Sequence, residues 1–288
     1  MFAETFDDRC CALGEGPLWH HDRQSLFWFD IDNKKLFEKK VGGIRAEFDF
    51  DRTVSAAGIV DSNRILIASE RDLFVFDLET KQQKVLCELE SDNPVNRSND
   101  GRADSRGGFW IGTMGYNAEP NSGAIYRFYL GELRQMFSGI SIPNSICFSP
   151  EGSTAFFTDS VEKIIWRVDL DEHGWPASIP EPFVNLQHEE FAPDGAVVDA
   201  AGKLWSAQWM ASRVAVYSQD GEFIESHSLP TSQTTCPSFG GQDLSTLFVT
   251  SAGDHLPDGL VGTQPMAGFV FKIEGVGPGQ AEHRVIVD

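Results

Sequence analysis

A strand-rich unit recurs six times along the 288-residue sequence, and this internal repeat constrains the fold more than any other feature. Each copy contains short apolar strands that are bounded by Gly, Asp, Asn or Pro. The copies begin at Gly16, Ala56, Asn99, Asn144, Pro193 and Pro237, in steps of 40, 43, 45, 49 and 44 residues. A period in the forties with several strands per unit is typical of a propeller blade of about four antiparallel strands.

The pattern inside each copy separates a propeller from other repeat folds. Leucine-rich repeats are shorter, and helical repeats would need a 3.6-residue periodicity. The segments ILIAS, LFVFDL, AFFTDS and VAVYS instead show the continuous or alternating apolar character of β-strands. The sequence therefore predicts an all-β fold, a six-bladed β-propeller with blades of about four antiparallel strands, and a single domain over residues 1–288.

Two segments at the ends of the sequence remain after the six copies are counted. They are ETFDD near the N-terminus and EHRVIVD at the C-terminus. An open sheet edge favours aggregation, so the ring of blades has to close. We expect both segments to contribute strands to one closing blade.

The charge of the sequence restricts the classes of ligand. The formal net charge is −20 and the isoelectric point is near 4.6, so the average field repels nucleic acid and anionic membranes. This field suits a cation or a neutral small molecule as the ligand. The alternative is that the excess of acidic residues only keeps the protein soluble. The N-terminal segment is acidic where a signal peptide would be basic, and the apolar stretches are far shorter than the ~20 residues of a membrane helix. We expect a cytoplasmic protein, monomeric or weakly oligomeric, without nucleic-acid or membrane partners.

Polar residues interrupt the apolar pattern near the start of the first strand in four copies. They are Glu15, Asn99, Asn144 and Asp194. Because the innermost strand of each blade lines the central channel, residues at one phase of the repeat converge on the axis. Buried carboxylates and amides are costly unless paired or coordinated, which indicates a cation between them. The alternative is that they are turn residues at strand ends. These oxygen donors suit Ca²⁺, Mg²⁺ or Mn²⁺ and also admit Zn²⁺ or Fe²⁺.

Several longer segments carry a family resemblance. LGEGPLW, RSNDGRAD, FWIGTM, PDGAVVDAAGKLW, FGGQDLSTLFVTSA and AGFVFKI occur in this order over essentially the whole chain. They resemble the hallmark segments of the gluconolactonase/regucalcin/luciferin-regenerating family. The resemblance implies a six-bladed propeller and a metal-dependent hydrolase of sugar-acid lactones, with a small sugar lactone as the binding partner.

The same resemblance implies roles for individual residues. One divalent metal ion would be held by Glu15 in GEGP, Asn144 in PNS and Asp194 in PDG. Arg97 and Asn99, in RSND, would contact substrate hydroxyls. All five roles are implied by the resemblance, motif by motif.

The sequence departs from the family pattern at two positions. Ser145 follows Asn144 where the family usually has Gly, which leaves the amide of Asn144 in place but alters the turn. Three residues beyond the Met of GTM, some relatives have a glutamate that helps to bind sugar, and here that position is Asn117, with Glu119 nearby. Asn117 is therefore the candidate substrate-binding residue at that position, and the sugar accepted there is open.

Lewis-acid hydrolysis fits these residues. The metal would polarise the lactone carbonyl and stabilise the developing negative charge, while a carboxylate takes a proton from the attacking water. Asp194 is the candidate base. Coordination lowers the basicity of a carboxylate, so Asp194 is equally a candidate to position the water rather than to deprotonate it.

Two other functions compete with a lactonase. A noncatalytic propeller could bind calcium or a protein partner, but it would not need Arg97 and Asn99 beside the metal ligands. A lactonase or phosphotriesterase for lipophilic substrates is disfavoured by the polar residues at the channel. Gluconolactone, xylonolactone, arabinonolactone and galactonolactone all remain candidate substrates.

Several aromatic residues and one histidine have expected positions. Trp19, Trp110 and Trp205 recur within strands, so we expect them to pack between blades. Trp209 lies just past a strand end and is a candidate for a pocket wall. His255, in the insertion SAGDHLPDG of the sixth copy, is a candidate for substrate contact from a loop over the channel mouth.

Overall fold

The computed structural model describes residues 3–254 and 256–287, which form 24 β-strands. These strands make six antiparallel sheets of four strands each, and the innermost strands of neighbouring sheets contact each other in a closed ring. The predicted all-β, six-bladed propeller is therefore confirmed. No helix in the described part of the chain is long and apolar enough to cross a membrane.

Blades 1 to 5 are each made of four consecutive strands, numbered outward from the channel. Blade 1 comprises β2 (Gly14–His20), β3 (Ser25–Asp30), β4 (Lys35–Lys40) and β5 (Arg45–Asp49). Blade 2 comprises β6 (Val54–Ile59), β7 (Arg64–Ser69), β8 (Asp72–Asp77) and β9 (Gln83–Glu88). Blade 3 comprises β10 (Asn96–Ala103), β11 (Phe109–Gly115), β12 (Gly123–Tyr129) and β13 (Glu132–Ile140). Blade 4 comprises β14 (Pro143–Phe148), β15 (Thr154–Asp159), β16 (Ile164–Asp169) and β17 (Glu181–Asn185). Blade 5 comprises β18 (Ala192–Val198), β19 (Leu204–Trp209), β20 (Arg213–Tyr217) and β21 (Phe223–Ser228).

Blade 6 closes the ring with strands from both ends of the chain. It comprises β22 (Thr234–Gly240), β23 (Thr246–Ser251), β24 (Val270–Glu274) and, outermost, β1 (Glu4–Asp7). The strand β1 is antiparallel to β24, with Glu4 opposite Lys272. The prediction that the N-terminal ETFDD segment joins the closing blade is confirmed.

The prediction that the C-terminal EHRVIVD segment adds a strand to the same blade is wrong. Because β1 already occupies the outer edge of blade 6, the C-terminal segment instead crosses the end of the channel at which the innermost strands finish. The side-chain amide of Gln280 donates hydrogen bonds to the carbonyls of Phe148 (3.1 Å) and Val198 (2.9 Å). The backbone N–H of Val285 donates to the carbonyl of Ile59 (2.7 Å). The segment therefore caps this end of the channel across blades 2, 4 and 5.

Tryptophans fill the interfaces between blades. Trp19, Trp110 and Trp205 are each buried, as expected for blade packing. In two blades an aspartate of the first hairpin turn accepts the indole N–H: Asp104 from Trp110 (3.2 Å) and Asp199 from Trp205 (3.0 Å). The aspartate thus fixes both the turn and the buried ring, which explains why Asp and Trp recur together in the repeat.

The innermost strand of every blade has an irregularity in its pairing, near the end where the strand begins. The shifts fall between Glu15 and Leu18, Val54 and Ala56, Ser98 and Gly101, Asn144 and Cys147, Pro193 and Ala196, and Thr234 and Pro237. A bulge bends a strand and changes the direction of a side chain. The same device in six blades therefore turns the polar residues of the repeat toward the channel.

Candidate metal centre and substrate cavity

A cavity of about 220 Å³ lies at the end of the channel where the innermost strands begin, opposite the C-terminal cap. Its polar lining residues are Glu15, Arg97, Asn99, Asn144, Ser160 and Asp194. Its apolar lining residues are Leu13, Met114, Ile142, Val161, Ala192 and Trp209. Five of the six predicted site residues, together with the predicted wall residue Trp209, therefore surround one space.

Glu15 enters the cavity from the bulge of β2. Gly16 follows it with φ of 53°, and a Cβ atom at Gly16 would lie 2.3 Å from the carbonyl oxygen of Ser55. Only glycine therefore allows this close approach between blades 1 and 2. Burial, and next the charge of Asp100, raises the pKa of Glu15 to about 8. The carboxylate is thus held in a dry place without enough positive charge around it.

Asp194 occupies the equivalent bulge of β18 in blade 5. Burial, and then the charges of Glu15 and Asp100, raises the pKa of Asp194 well above its ordinary value. The residue after it, Gly195, packs against blade 6 so closely that a Cβ atom would lie 2.3 Å from the sulfur of Cys236. The backbone of Asp194 is therefore fixed by its neighbours, while its side chain lacks a neutralising partner.

The charges around the channel leave a negative excess. Asp100, buried beside the cavity, has its pKa raised to about 6, chiefly by burial. Arg97 is the only cationic residue among the described residues that line the cavity, and the carboxylates of Asp32, Glu15 and Asp194 lie close enough for their charges to act on it. A bound cation would offset the cost of the buried charges of Glu15, Asp100 and Asp194.

The chemistry of the donor set fits a hard divalent cation. Glu15 and Asp194 supply carboxylate oxygens and Asn144 supplies an amide oxygen, all of them typical ligands of Ca²⁺, Mg²⁺ or Mn²⁺. Over residues 3–254 and 256–287, no group of three or more His, Cys, Asp or Glu side chains is arranged to hold a metal. The candidate centre differs from such a group because one of its three donors is an asparagine.

Hydrogen bonds order the amides beside these carboxylates. The Nη1 of Arg97 donates to Oδ1 of Asn99 (2.8 Å), and Nδ2 of Asn99 donates to Oδ1 of Asn144 (2.9 Å). Asn99 also donates to the carbonyl of Pro143 (3.0 Å). Asn99 therefore links the arginine to the candidate ligand Asn144.

Asn117 lies apart from this cavity. It is exposed, and its Nδ2 donates to Oε1 of Glu119 (3.0 Å) within the turn after β11. It is not among the lining residues, so its role in substrate binding stays a prediction. The other outlying candidate, His255, lies outside the described residues.

The structure adds residues that the sequence did not point to. Ser160 lines the cavity from the turn between β15 and β16, and Ile142 and Val161 add an apolar wall from the same blade. These residues stand in turns, outside any repeated motif. Asp100 could have been found, because it follows Asn99 directly in the SNDG segment.

Comparisons with known proteins agree with this architecture. A model of the SMP-30/gluconolactonase/LRE-like region matches residues 13–253. A Rhizobium meliloti protein named "Putative sugar lactone lactonase" is 39% identical over 274 residues, which cover 93% of this chain and 92% of that protein. An L-arabinolactonase of Azospirillum brasilense is 33% identical over 279 residues, covering 95% of this chain and 92% of that enzyme.

A solved structure shows the same fold in full. The crystal structure of a calcium-binding protein, regucalcin, from Agrobacterium tumefaciens superposes with a TM-score of 0.96 at 38% sequence identity. The superposition covers 98% of this chain and 96% of that one. The family match spans most of the sequence, and the relatives are similar over nearly their whole length. The chain belongs to the SMP-30/gluconolactonase/LRE-like family.

Proposed function

We propose that this protein is a lactonase that hydrolyses a sugar-acid lactone to the aldonic acid with the help of one divalent metal ion. The observation that carries the proposal is the cavity in which Glu15, Asn144 and Asp194 face Arg97. Relatives named as lactonases, at 33% and 39% identity over almost the whole chain, support the same reaction.

Glu15, Asn144 and Asp194 are the residues that would hold the metal ion. When bound, the ion would supply Lewis-acid polarisation of the lactone carbonyl. The two carboxylates would also balance the charge of the ion, which matches the negative excess around the channel. Asp100 contributes to this field from beneath the cavity, where its Oδ2 accepts a hydrogen bond from the backbone of Ile146 (2.8 Å).

Arg97 and Asp194 would perform the remaining steps. The guanidinium of Arg97 presents several N–H donors in a fixed plane, which suits the orientation of two ring hydroxyls. Asp194 would accept a proton from the attacking water or hold that water in position against the carbonyl carbon. The apolar rim, which includes Met114 and Trp209, limits the water around these charged groups and so strengthens their interactions.

The second candidate function is a noncatalytic propeller that binds a divalent cation. The similarity to a structure described as a calcium-binding protein favours it. Both functions need Glu15, Asn144 and Asp194, but only hydrolysis needs a group that acts on water and a donor that orients a sugar. The two functions therefore differ in turnover rather than in metal binding.

Turnover measurements on a panel of lactones separate the two. Chelator-stripped protein is assayed with a pH indicator against gluconolactone, xylonolactone, arabinonolactone and galactonolactone, with each divalent metal added back. We expect metal-restored hydrolysis that Asp194→Ala abolishes. Asp220→Ala is the matched control, because Asp220 is an exposed turn residue of the same blade. Hydrolysis no faster than the spontaneous rate on every lactone, with calcium still bound in calorimetry, would establish the noncatalytic alternative.

A further inference from the structure

A chain of hydrogen bonds runs through three blades beside the cavity. It begins at Arg97 in blade 3 and passes through Asn99 to Asn144 in blade 4. From there Nδ2 of Asn144 donates to Oγ of Ser160 (2.9 Å), and Oγ of Ser160 donates to the backbone carbonyl of Pro193 in blade 5 (2.7 Å). The last acceptor belongs to the residue directly before Asp194.

Arg97 and the carbonyl of Pro193, at the two ends of this hydrogen-bonded series, set the donor and acceptor of every bond in it. A guanidinium can only donate, and a backbone carbonyl can only accept. Because the hydroxyl hydrogen of Ser160 goes to Pro193, the hydroxyl can only accept from Asn144. Turning the amide of Asn144 or of Asn99 by half a rotation would place donor against donor and acceptor against acceptor. The amide of Asn144 therefore has one orientation, with Nδ2 toward Ser160.

Ser160 differs from the other residues of this hydrogen-bonded series because its single hydroxyl contacts one candidate ligand residue, Asn144, and the residue directly before another, Asp194. It binds the side chain of Asn144 and, through Pro193, the backbone that carries Asp194. These two residues come from neighbouring blades, which are also joined by the hydrogen bond from Ser145 to the backbone carbonyl of Asp194. The hydroxyl of Ser160 adds a link that involves the side chain of Asn144 itself.

We propose that Ser160 is a positioning residue that sets the separation and orientation of Asn144 and Asp194 for metal binding. The inference rests on the proposed metal centre, and it assigns a role to a residue that would not itself be a ligand. Without the hydroxyl, Nδ2 of the buried Asn144 has no acceptor at that point, and an unsatisfied buried donor is costly. The side chain would rotate to find a partner and take Oδ1 away from the position that the metal requires.

Residues that orient a ligand affect metal affinity in a measurable way. Loss of such a partner commonly weakens metal binding by about 10–100-fold. We expect Ser160→Ala to weaken the binding of Ca²⁺ and Mn²⁺ to the metal-free protein by this amount, as measured by isothermal titration calorimetry. Ser160→Thr keeps the hydroxyl and should recover affinity to within about threefold of the original protein.

Two controls separate positioning from a general effect on folding. Ser226→Ala removes a hydroxyl from the exposed outer strand of blade 5 and should leave metal affinity unchanged. If Ser160→Ala does not fold, Ser160→Cys preserves the size of the side chain with a weaker hydrogen-bonding group and should also weaken metal binding. Wild-type affinity in a folded Ala or Cys variant, or an equal loss in the Thr and Ala variants, would overturn the proposal.

The outcomes also distinguish this inference from the proposed lactonase activity. If the original protein binds metal and the Ser160 series behaves as expected, but no lactone is hydrolysed, the positioning role stands and the proposed reaction fails. If lactones are hydrolysed while Ser160→Ala retains full metal affinity, only the positioning role fails. If the original protein binds no divalent metal, both the positioning role and the metal-dependent reaction are refuted.

Discussion

Ser145 donates a hydrogen bond from its hydroxyl to the backbone carbonyl of Asp194 in the next blade, while its own backbone has φ of 58°. A residue with a side chain is strained in this left-handed region by about 1–2 kcal/mol. The hydrogen bond offsets the strain, since a buried bond of this kind contributes about 1 kcal/mol. Ser145 thus combines a strained backbone conformation with a hydrogen bond that links blades 4 and 5.

Variants of Ser145 should separate these two effects. Ser145→Ala keeps the strain and loses the bond, so we expect the free energy of unfolding to fall by about 1–2 kcal/mol. Ser145→Gly loses both and should stay within about 1 kcal/mol of the original protein. Urea unfolding monitored by tryptophan fluorescence measures both values. An alanine variant as stable as the glycine variant would show that the backbone strain contributes nothing.

Glu15→Gln should affect the metal-free and metal-bound proteins differently. Because the pKa of Glu15 is raised to about 8, its carboxyl group is mostly protonated at pH 7 in the metal-free protein, and the substitution replaces one neutral group by another. We therefore expect the stability of the metal-free protein to change by no more than about 1 kcal/mol. The rise in melting temperature on adding metal should be largely lost. Differential scanning fluorimetry with and without Ca²⁺ measures both effects.

Glu38→Gln is the matched control for Glu15. Glu38 is also buried, but its carboxylate pairs with Arg23 (3.1 Å) and accepts a hydrogen bond from Ser25 (2.9 Å). We expect this variant to lose about 1.5–3 kcal/mol of stability in the absence of metal, because charge-assisted hydrogen bonds are broken. Equal losses in both variants would contradict the idea that Glu15 lacks a neutralising partner.

The cap at the far end of the channel depends on a buried ion pair between Arg102 and Glu282. Glu282→Ala leaves the guanidinium buried without its partner, so we expect a loss of about 3–5 kcal/mol in the free energy of unfolding. Glu181→Ala breaks an exposed pair with Arg167 (3.6 Å) and should cost less than about 1 kcal/mol. Chemical denaturation of the two variants side by side tests the difference. Similar small losses would mean that the C-terminal segment is not held by this pair.

Arg97 and Asn117, both predicted to bind substrate, should differ in their effect on hydrolysis. Arg97→Lys removes the planar set of donors and the bond to Asn99, so we expect kcat/KM to fall by at least about tenfold, or about 1.4 kcal/mol. Asn117→Ala changes an exposed residue outside the cavity and should stay within about twofold. Steady-state kinetics on the best lactone gives both ratios. A large loss for Asn117→Ala would bring the turn after β11 into the substrate site.

The repeat predicted the six blades and the convergence of Glu15, Asn99, Asn144 and Asp194, because each follows from residues close together in the sequence. The error at the C-terminus has a different cause. EHRVIVD resembles a strand locally, but its position depends on whether an edge is free, and β1 takes that edge. The residues of EHRVIVD do not indicate that β1 occupies the outer edge of blade 6.

The hydrogen bonds that organise the cavity could not be predicted from short segments of sequence either, because they also join residues that are far apart in the chain. Ser145 reaches Asp194 and Ser160 reaches Pro193, across 49 and 33 residues of sequence respectively. A serine within or just after a strand is common, and its partner appears only when two blades are placed side by side. The sequence thus predicted the charged groups of the candidate site but not the hydroxyls that hold them.

The pairing of β1 with β24 has a consequence for how the chain is made. Glu4 is synthesised before every strand of blades 1 to 5, whereas its partner Lys272 is synthesised after all of them. Ring closure is therefore a late, long-range event with a large loop entropy, which slows folding. Until blade 6 is complete, the hydrogen bonds between β1 and β24 cannot contribute to stability, so the last edge of the ring is secured only when the two ends of the fold meet.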